Sequence, residues 1–374
     1  MLKDTAAIKA YRVSCLVEPD GTVKRNVYLI IKENKVVEKT FRRPESLKVR
    51  EVEGTLYPPF VNAHTHLELS ALSFSPDKFA SFFDWLLWII SKRQTFTEKW
   101  IESSFQKGIK LLESTGAYYI GDISSFGYSK RHPVKEFHLI SFLEIIGKER
   151  KLRELRPPLS AHSVYSVSFE LLKEIAFDSI ERNYPFQIHL GEVADEKLLV
   201  SGESNRFESL IYPEIGRKKY SMPKSENLVD YLKKAGALHE NTVAVHCTNL
   251  SEEEIETLIK HNVSIVLCPR SNLHLKVGFP SIEPFIGYEK IALGTDGMSS
   301  NLSLNILEEL KMLYYRLDCK VSLKSLFYML TLGGANVLKI KGYETNSLFA
   351  YTPAVPENPL DFLLTLPKLK MLVL

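Results

Sequence analysis

The chain has 374 residues, 45% of them hydrophobic and 25% charged, the balance of an ordinary globular protein with room for one large domain and a smaller one. A net charge of +3 gives no argument for nucleic acid or an anionic membrane surface, so neither is an expected partner. The four cysteines, Cys15, Cys247, Cys268 and Cys319, form no C-x-x-C pair, which argues for reduced thiols and a cytoplasmic protein without a disulfide framework.

No apolar stretch follows Met1-Leu2-Lys3-Asp4, so no secretory signal is expected. Residues 1–55 then alternate along Ala10-Tyr11-Arg12-Val13, along 26–32 and along Lys35-Val36-Val37-Glu38, with turns at Asp20-Gly21 and Glu33-Asn34. This pattern predicts short antiparallel strands in a small β unit. From residue 56 the texture changes. Apolar runs occur at 56–61, 117–122, 138–144, 158–162, 186–189, 242–246, 263–268 and 290–296. Helix patterns separate most of them, for example at 97–114, 169–182, 228–235 and 251–261. Eight strands alternating with helices predict a parallel α/β barrel. The crossovers on either side of the third run are cramped, so their helices should be short. Residues 201–227 form a long Ser/Gly/Pro-spaced insertion that would suit a lid or a homodimer contact. Helices are expected at 304–316 and 323–332, the second ended by Gly333-Gly334. The greasiest segment, 79–90, is too short to span a bilayer and carries Asp84. In the tail, 362–366 and 370–374 are expected to add strands to the N-terminal β unit. The predicted architecture is α/β: a (β/α)8 TIM-like barrel over 56–344, with a small β-sandwich domain made from 1–55 and the returning segment 345–374.

Polar residues at the ends of the predicted strands carry the chemistry. The first run leads into His64-Thr65-His66, the fourth ends in His162, the fifth in His189, the sixth in His246 and the eighth in Asp296. His64 and His66, at i and i+2, point to one side of an extended backbone. Active sites of such barrels lie at the carboxyl ends of the strands, and five of the ten histidines fall there. His132, His138, His239, His261 and His274 share no such geometry. Three imidazoles and a carboxylate suit a borderline divalent cation, zinc or iron(II). Such a cation brings the pKa of its water to roughly 7. Glu192, three residues past His189, stands where a general acid/base is needed.

With these residues in place the chain resembles the amidohydrolase superfamily, in its metal-dependent deaminase and chlorohydrolase branch. The resemblance rests on His64-Thr65-His66, His189-Leu190-Gly191-Glu192, Val245-His246-Cys247 and Gly294-Thr295-Asp296-Gly297. Ala161-His162-Ser163-Val164-Tyr165-Ser166-Val167-Ser168 and Cys268-Pro269-Arg270-Ser271-Asn272-Leu273 extend it, in the family's order, over about residues 55–335. It implies that His64, His66, His189 and Asp296 hold one divalent metal ion, zinc first and iron(II) second. His246 would hydrogen-bond the water, Glu192 would protonate a substrate ring nitrogen, Asp296 would take the water's proton and His162 would touch the substrate. Ala161-His162 stands where binuclear members carry a modified lysine, so a mononuclear site is implied.

The segment His66-Leu67-Glu68-Leu69-Ser70, followed by Phe82-Phe83-Asp84-Trp85-Leu86-Leu87, is similar to the short deaminases acting on 6-aminodeoxyfutalosine in menaquinone synthesis. That resemblance implies Asp84 on the ribose, with Phe83, Trp85 and Trp88 along an aromatic tail. Arg150, Arg153, Arg156 and Arg270 are candidates for the tail's carboxylate. The alternatives within the branch are S-adenosylhomocysteine or methylthioadenosine deamination, guanine deamination and triazine dechlorination.

Overall fold

Pro58-Pro59 divides the two sheets of the molecule. The computed structural model describes residues 8–374; the expectation of no secretory signal rests on Met1-Leu2-Lys3-Asp4, which lies outside them. Where the sequence predicts a single strand over 56–61, there are two. The first, β4 (Val49–Tyr57), belongs to the small sheet, and β5 (Phe60–Thr65) opens the barrel. A proline has no N–H to give a ladder, so two in a row end one strand and free the next.

The small sheet also contains β1 (Lys9–Val17), β2 (Val23–Lys32), β3 (Lys35–Thr40), β13 (Leu348–Thr352) and β14 (Lys370–Val373). Its six strands run in the order β14-β13-β4-β1-β2-β3. Only β1 and β4 pair in parallel. Alternate residues Val13, Val27, Leu29, Leu56 and Phe349 bury its core. In the tail, the strand expected at 370–374 forms as β14, but the one expected at 362–366 does not: Leu348–Thr352 supplies the other added strand and Pro359–Leu363 is a helix. Pro359 stands in its first turn, where the missing N–H and fixed φ suit a helix start.

The barrel strands follow sequence order: β5, β6 (Ala117–Ser124), β7 (His138–Ile145), β8 (Leu159–Ser163), β9 (Phe186–Leu190), β10 (Thr242–His246), β11 (Ser264–Leu267) and β12 (Ile291–Leu293). All neighbours pair in parallel. The last strand reaches the first through a bridge between Thr65 and Asp296. There Asp296 N donates to His64 O at 3.1 Å and His66 N donates to Asp296 O at 2.9 Å. The crossovers around β7 are short, as the cramped spacing predicts: Tyr128–Arg131 before it and Leu152–Glu154 after it.

The outer helices form for local reasons. In α2 (Glu98–Leu112), Thr97 caps the N-terminus by accepting from Trp100 N. Ile101, Phe105, Ile109 and Leu112 make one buried stripe at helical spacing. Burying Phe105 completely contributes about 2–3 kcal/mol. The helix Glu252–Lys260 starts with a reciprocal Ser251/Glu254 capping box.

Strand alternation yields two cores. Phe186, Ile188 and Leu190 face the helical shell, whereas Val61, Ala63, Val243, Val245 and Ala292 fill the barrel interior. Its floor is the helix Leu332–Val337, which contains Gly333-Gly334. These glycines therefore do not end the preceding helix; it stops at Leu330. They permit contact instead. A Cβ on Gly333 would lie 2.1 Å from Ile291 O, and one on Gly334 2.5 Å from Val61 Cβ. We expect Gly333→Ala to cost about 1–3 kcal/mol through overpacking, read as a lowered urea midpoint. An unchanged midpoint would mean that the floor helix shifts freely.

Candidate active site

The histidines predicted at the strand ends, with Glu192 and Asp296, converge at the carboxyl mouth of the barrel, but not through simple alternation. Val61 and Ala63 point inward, so strict period two would send His64 outward. A slip in the β5–β6 register between Asn62 and Thr65 brings it in. Val245 also points inward, yet His246 follows it into the site. His246 has φ 76°, a left-handed backbone, while Cys247 returns to the outer core. Asp296 has φ 56°. Such non-glycine conformations are costly and cluster at functional sites. Gly294 permits the closure, since a Cβ there would sit 2.8 Å from both His64 Cβ and His64 O.

Ligand-type atoms of His64, His189, His246 and Asp296 lie within 4.8 Å of one another, all buried. His64 Nε2 and His189 Nε2 are 3.3 Å apart. His66 lies outside that tightest foursome, but its Nε2 is 3.3 Å from Asp296 Oδ1. The outer nitrogens of three are held, while that of His66, Nδ1, has no hydrogen-bond partner. His64 Nδ1 donates to Gln187 Oε1 at 2.6 Å, His189 Nδ1 to His162 O at 2.6 Å and His246 Nδ1 to Asn272 Oδ1 at 2.8 Å. These acceptors assign the tautomers and leave each Nε2 lone pair facing the centre. Burial pushes His66 and His246 down to about 4, so both imidazoles are neutral at pH 7. Asp296 is raised by burial but lowered more by His64, His66 and His246, ending well below the ordinary carboxylate range. Ser271 Oγ and Ser300 Oγ donate to its Oδ2 at 2.6 and 2.5 Å, leaving Oδ1 toward the histidines. Imidazole nitrogens converging with an ionised carboxylate in one buried cluster are a donor set for one divalent cation, and these residues fit it.

Glu192 borders the same cavity, with Oε1 3.8 Å from His246 Nε2. Burial, then the charges of Asp296 and Glu196, push its carboxyl well above the usual range. Its loop is fixed by Glu196, whose carboxylate accepts from Gly191 N, Glu192 N and Val193 N at 3.0, 2.8 and 3.2 Å. On the other side, Glu68 accepts from Ser124 Oγ, Phe126 N and Ser129 N. Asp122 accepts from Leu67 N at 2.9 Å. Together they tie the segment after His66 to β6.

His162 also borders the cavity, with Nδ1 in contact with Ser163 Oγ and Ser166 Oγ. Asp84 does not. It is exposed and completes a capping box with Ser81 at the start of α1 (Phe82–Arg93). Of the three aromatics, only Trp85 lines the cavity, and its Nε1 donates to Ser299 O at 2.7 Å. Phe83 packs against Phe82 and Phe207, and Trp88 against Phe79. None of the four arginines lines it. Arg150 is exposed, Arg153 pairs with Glu181, and Arg156 borders a groove at the opposite mouth. Arg270 pairs with Glu308 and Glu309. The arginine at this cavity is Arg93, at the end of α1, bound to Glu144. Nothing in its sequence context marks it. Gln187 was more legible, standing two residues before His189 on the same face of β9.

A second cavity of ≈ 260 Å³ adjoins the first. The two share Leu86, Ile89, Arg93, His162 and Tyr165. Ile146, Ile211, Tyr212 and Arg217 line its far side. Arg217 Nη2 donates to Tyr165 O at 2.8 Å, and its Nε has no partner. Ile211, Tyr212 and Arg217 come from the 201–227 insertion, whose Phe207 stacks on Tyr165. The insertion thus roofs the site, together with α1. The other five histidines lie elsewhere: His132 stacks on Tyr128, His138 begins β7 at the opposite mouth and His261 caps a helix.

Comparison with known proteins accords with this geometry. Residues 55–343 match the model of the amidohydrolase family. A 5-methylthioadenosine/S-adenosylhomocysteine deaminase of Clostridium tetani is 26% identical over 355 residues, covering 86% of this chain and 77% of its own length. An aminodeoxyfutalosine deaminase of Nitratiruptor is 26% identical over 325 residues, covering 80% and 78%. The Helicobacter pylori aminofutalosine deaminase, solved in complex with methylthio-coformycin, superposes with a TM-score of 0.82. It is 21% identical and covers 96% of this chain and 97% of its own, a likeness of fold. Among the described residues no helix is long and apolar enough to cross a membrane.

Proposed function

This chain belongs to the amidohydrolase family, and from that premise we propose that it hydrolytically deaminates an adenine-type nucleoside, with 6-aminodeoxyfutalosine as its substrate. The enzyme is a hydrolase acting on C–N bonds. The observation that carries the proposal is the placement of one buried carboxyl group, Glu192, against a histidine–aspartate centre inside one cavity.

His64, His66, His189 and Asp296 would hold the cation, zinc by preference, with His246 beside it. When bound, such a cation supplies a Lewis acid and makes water nucleophilic near neutral pH. The chain's residues do the rest. Water adds to the carbon bearing the exocyclic amine. Glu192 carries the proton that the adjacent ring nitrogen takes up as the carbon becomes tetrahedral. Asp296 Oδ1 takes one of the water's protons and passes it to the amine, the C–N bond breaks and ammonia leaves, and the hydroxyl's remaining proton returns to Glu192 as the carbonyl forms. His162 lies on the wall where the substrate would rest.

The substrate assignment is supported by the second cavity. Its isoleucine walls suit an apolar extension of the nucleoside, and Arg217 provides a cation for an anionic end. The relatives named for aminodeoxyfutalosine support this reading, and with it we propose menaquinone synthesis in the cytoplasm as the enzyme's setting. Asp84, a helix cap, has no part in it.

The test is ammonia release by metal-loaded protein from 6-aminodeoxyfutalosine, S-adenosylhomocysteine, methylthioadenosine, adenosine and guanine. We expect the first to have the highest kcat/KM. A preference for S-adenosylhomocysteine or methylthioadenosine would keep the chemistry and replace the substrate. Release from none of the five would sink the deaminase assignment.

A further inference from the structure

Glu144, at the carboxyl end of β7, has no part in the chemistry above, yet it lines the catalytic cavity with His66, His162 and Glu192. Its side chain is 1% exposed. Arg93 occupies only one of its oxygens: Nη1 and Nη2 both donate to Oε2 at 3.1 Å. Oε1 is buried without a hydrogen-bond partner. Ser125 Oγ, beside the carboxylate, falls short of hydrogen-bond geometry and is itself unpartnered. A buried carboxylate oxygen left unmatched is costly, so its retention calls for a donor that arrives with a ligand. Arg93 borders both cavities, so the pair stands where an extended molecule would pass from one to the other. An oxygen that only accepts, beside a guanidinium that only donates, complements a group that does both. A hydroxyl is such a group.

We propose that Glu144 Oε1 accepts a hydrogen bond from a sugar hydroxyl of the substrate, with the Arg93 guanidinium beside it to donate to the same hydroxyl or its neighbour. This inference rests on the nucleoside reading and assigns the specificity-determining contact that Asp84, facing away, does not make. The metal-loaded wild type and Glu144→Gln are compared on the nucleoside that the wild type turns over best, and on its 2′-deoxy and 3′-deoxy counterparts. The wild type should lose on the order of 10- to 100-fold in kcat/KM with one of the deoxy compounds. Glu144→Gln should lose a similar factor on the parent, mainly through KM, and should hardly distinguish parent from deoxy compound. Glu144→Asp, which keeps the charge but withdraws the oxygen, should also lose the distinction. Metal content and unfolding midpoint are followed in parallel, since a merely structural role would lower these and leave the discrimination intact. Turnover with discrimination unchanged in both variants overturns this inference alone. No turnover of any nucleoside by the wild type overturns the nucleoside reading and this inference with it.

Discussion

Glu192→Gln is expected to bind metal as tightly as the wild type, keep its unfolding midpoint, and lose on the order of 10²- to 10⁴-fold in kcat, the range for removing a general acid/base. The expectation follows from where the side chain sits. Glu192 is 3% exposed, and burial together with Asp296 and Glu196 favours its protonated form. A carboxyl group whose protonated form is favoured can give a proton; a glutamine of the same shape cannot. The loop would not move, because its anchors are backbone N–H groups bound by Glu196, and Gln retains the backbone. A variant that kept its metal and turned over as fast as wild type would remove Glu192 from the mechanism. A variant that lost its metal would make it part of the metal site instead.

The second large effect should separate His66 from His246. Both are buried and neutral, and both stand by the centre. Distance alone favours His246, which joins His64, His189 and Asp296 within 4.8 Å. The partners argue otherwise. His66 Nε2 lies 3.3 Å from Asp296 Oδ1, the oxygen left toward the histidines by Ser271 and Ser300. His246 Nε2 instead lies 3.8 Å from Glu192 Oε1, between the acid and the centre. His66→Ala should therefore weaken zinc affinity by at least about 10- to 100-fold, the loss typical even of groups that only support a ligand. His246→Ala should retain stoichiometric zinc and lose kcat by on the order of 10²-fold or more. Metal content after dialysis against a graded chelator, with kcat of the reloaded proteins, decides it. If His246→Ala loses the metal and His66→Ala retains it, the ligand set is that of the tightest cluster, and the role given to His66 passes to His246.

The way these residues meet marks the boundary between local and tertiary information. The alternation of apolar runs with helical stretches is a local property, so the eight barrel strands were legible. So were His64, His66, His162, His189, His246 and Asp296 as residues at strand ends. The short crossovers around β7 were legible too, because chain length limits what a connection can hold. Local pattern misled where a residue's effect depends on what it touches. Gly333-Gly334 read as a helix stop, but they lie inside a floor helix that must approach Ile291 O and Val61 closely. Residues 362–366 read as a strand because they are apolar, but Pro359 starts a helix there.

Only the tertiary structure decided how the site closes. The register slip before Thr65 and the left-handed backbones of His246 and Asp296 turn side chains inward against period two, and long-range contacts, not local preference, stabilise such conformations. Asp84 and Arg93 belong to the same helix, and nothing in their composition says that one caps its exposed start while the other ends in the cavity. Helix α1 docks over the barrel mouth through Trp85 and Ser299, and that docking faces Arg93 toward Glu144. By itself the sequence determined the barrel and the types of polar group at its strand ends, because each is written in periodicity or in residue chemistry. Which polar groups share one cavity was decided by packing between segments far apart in the chain.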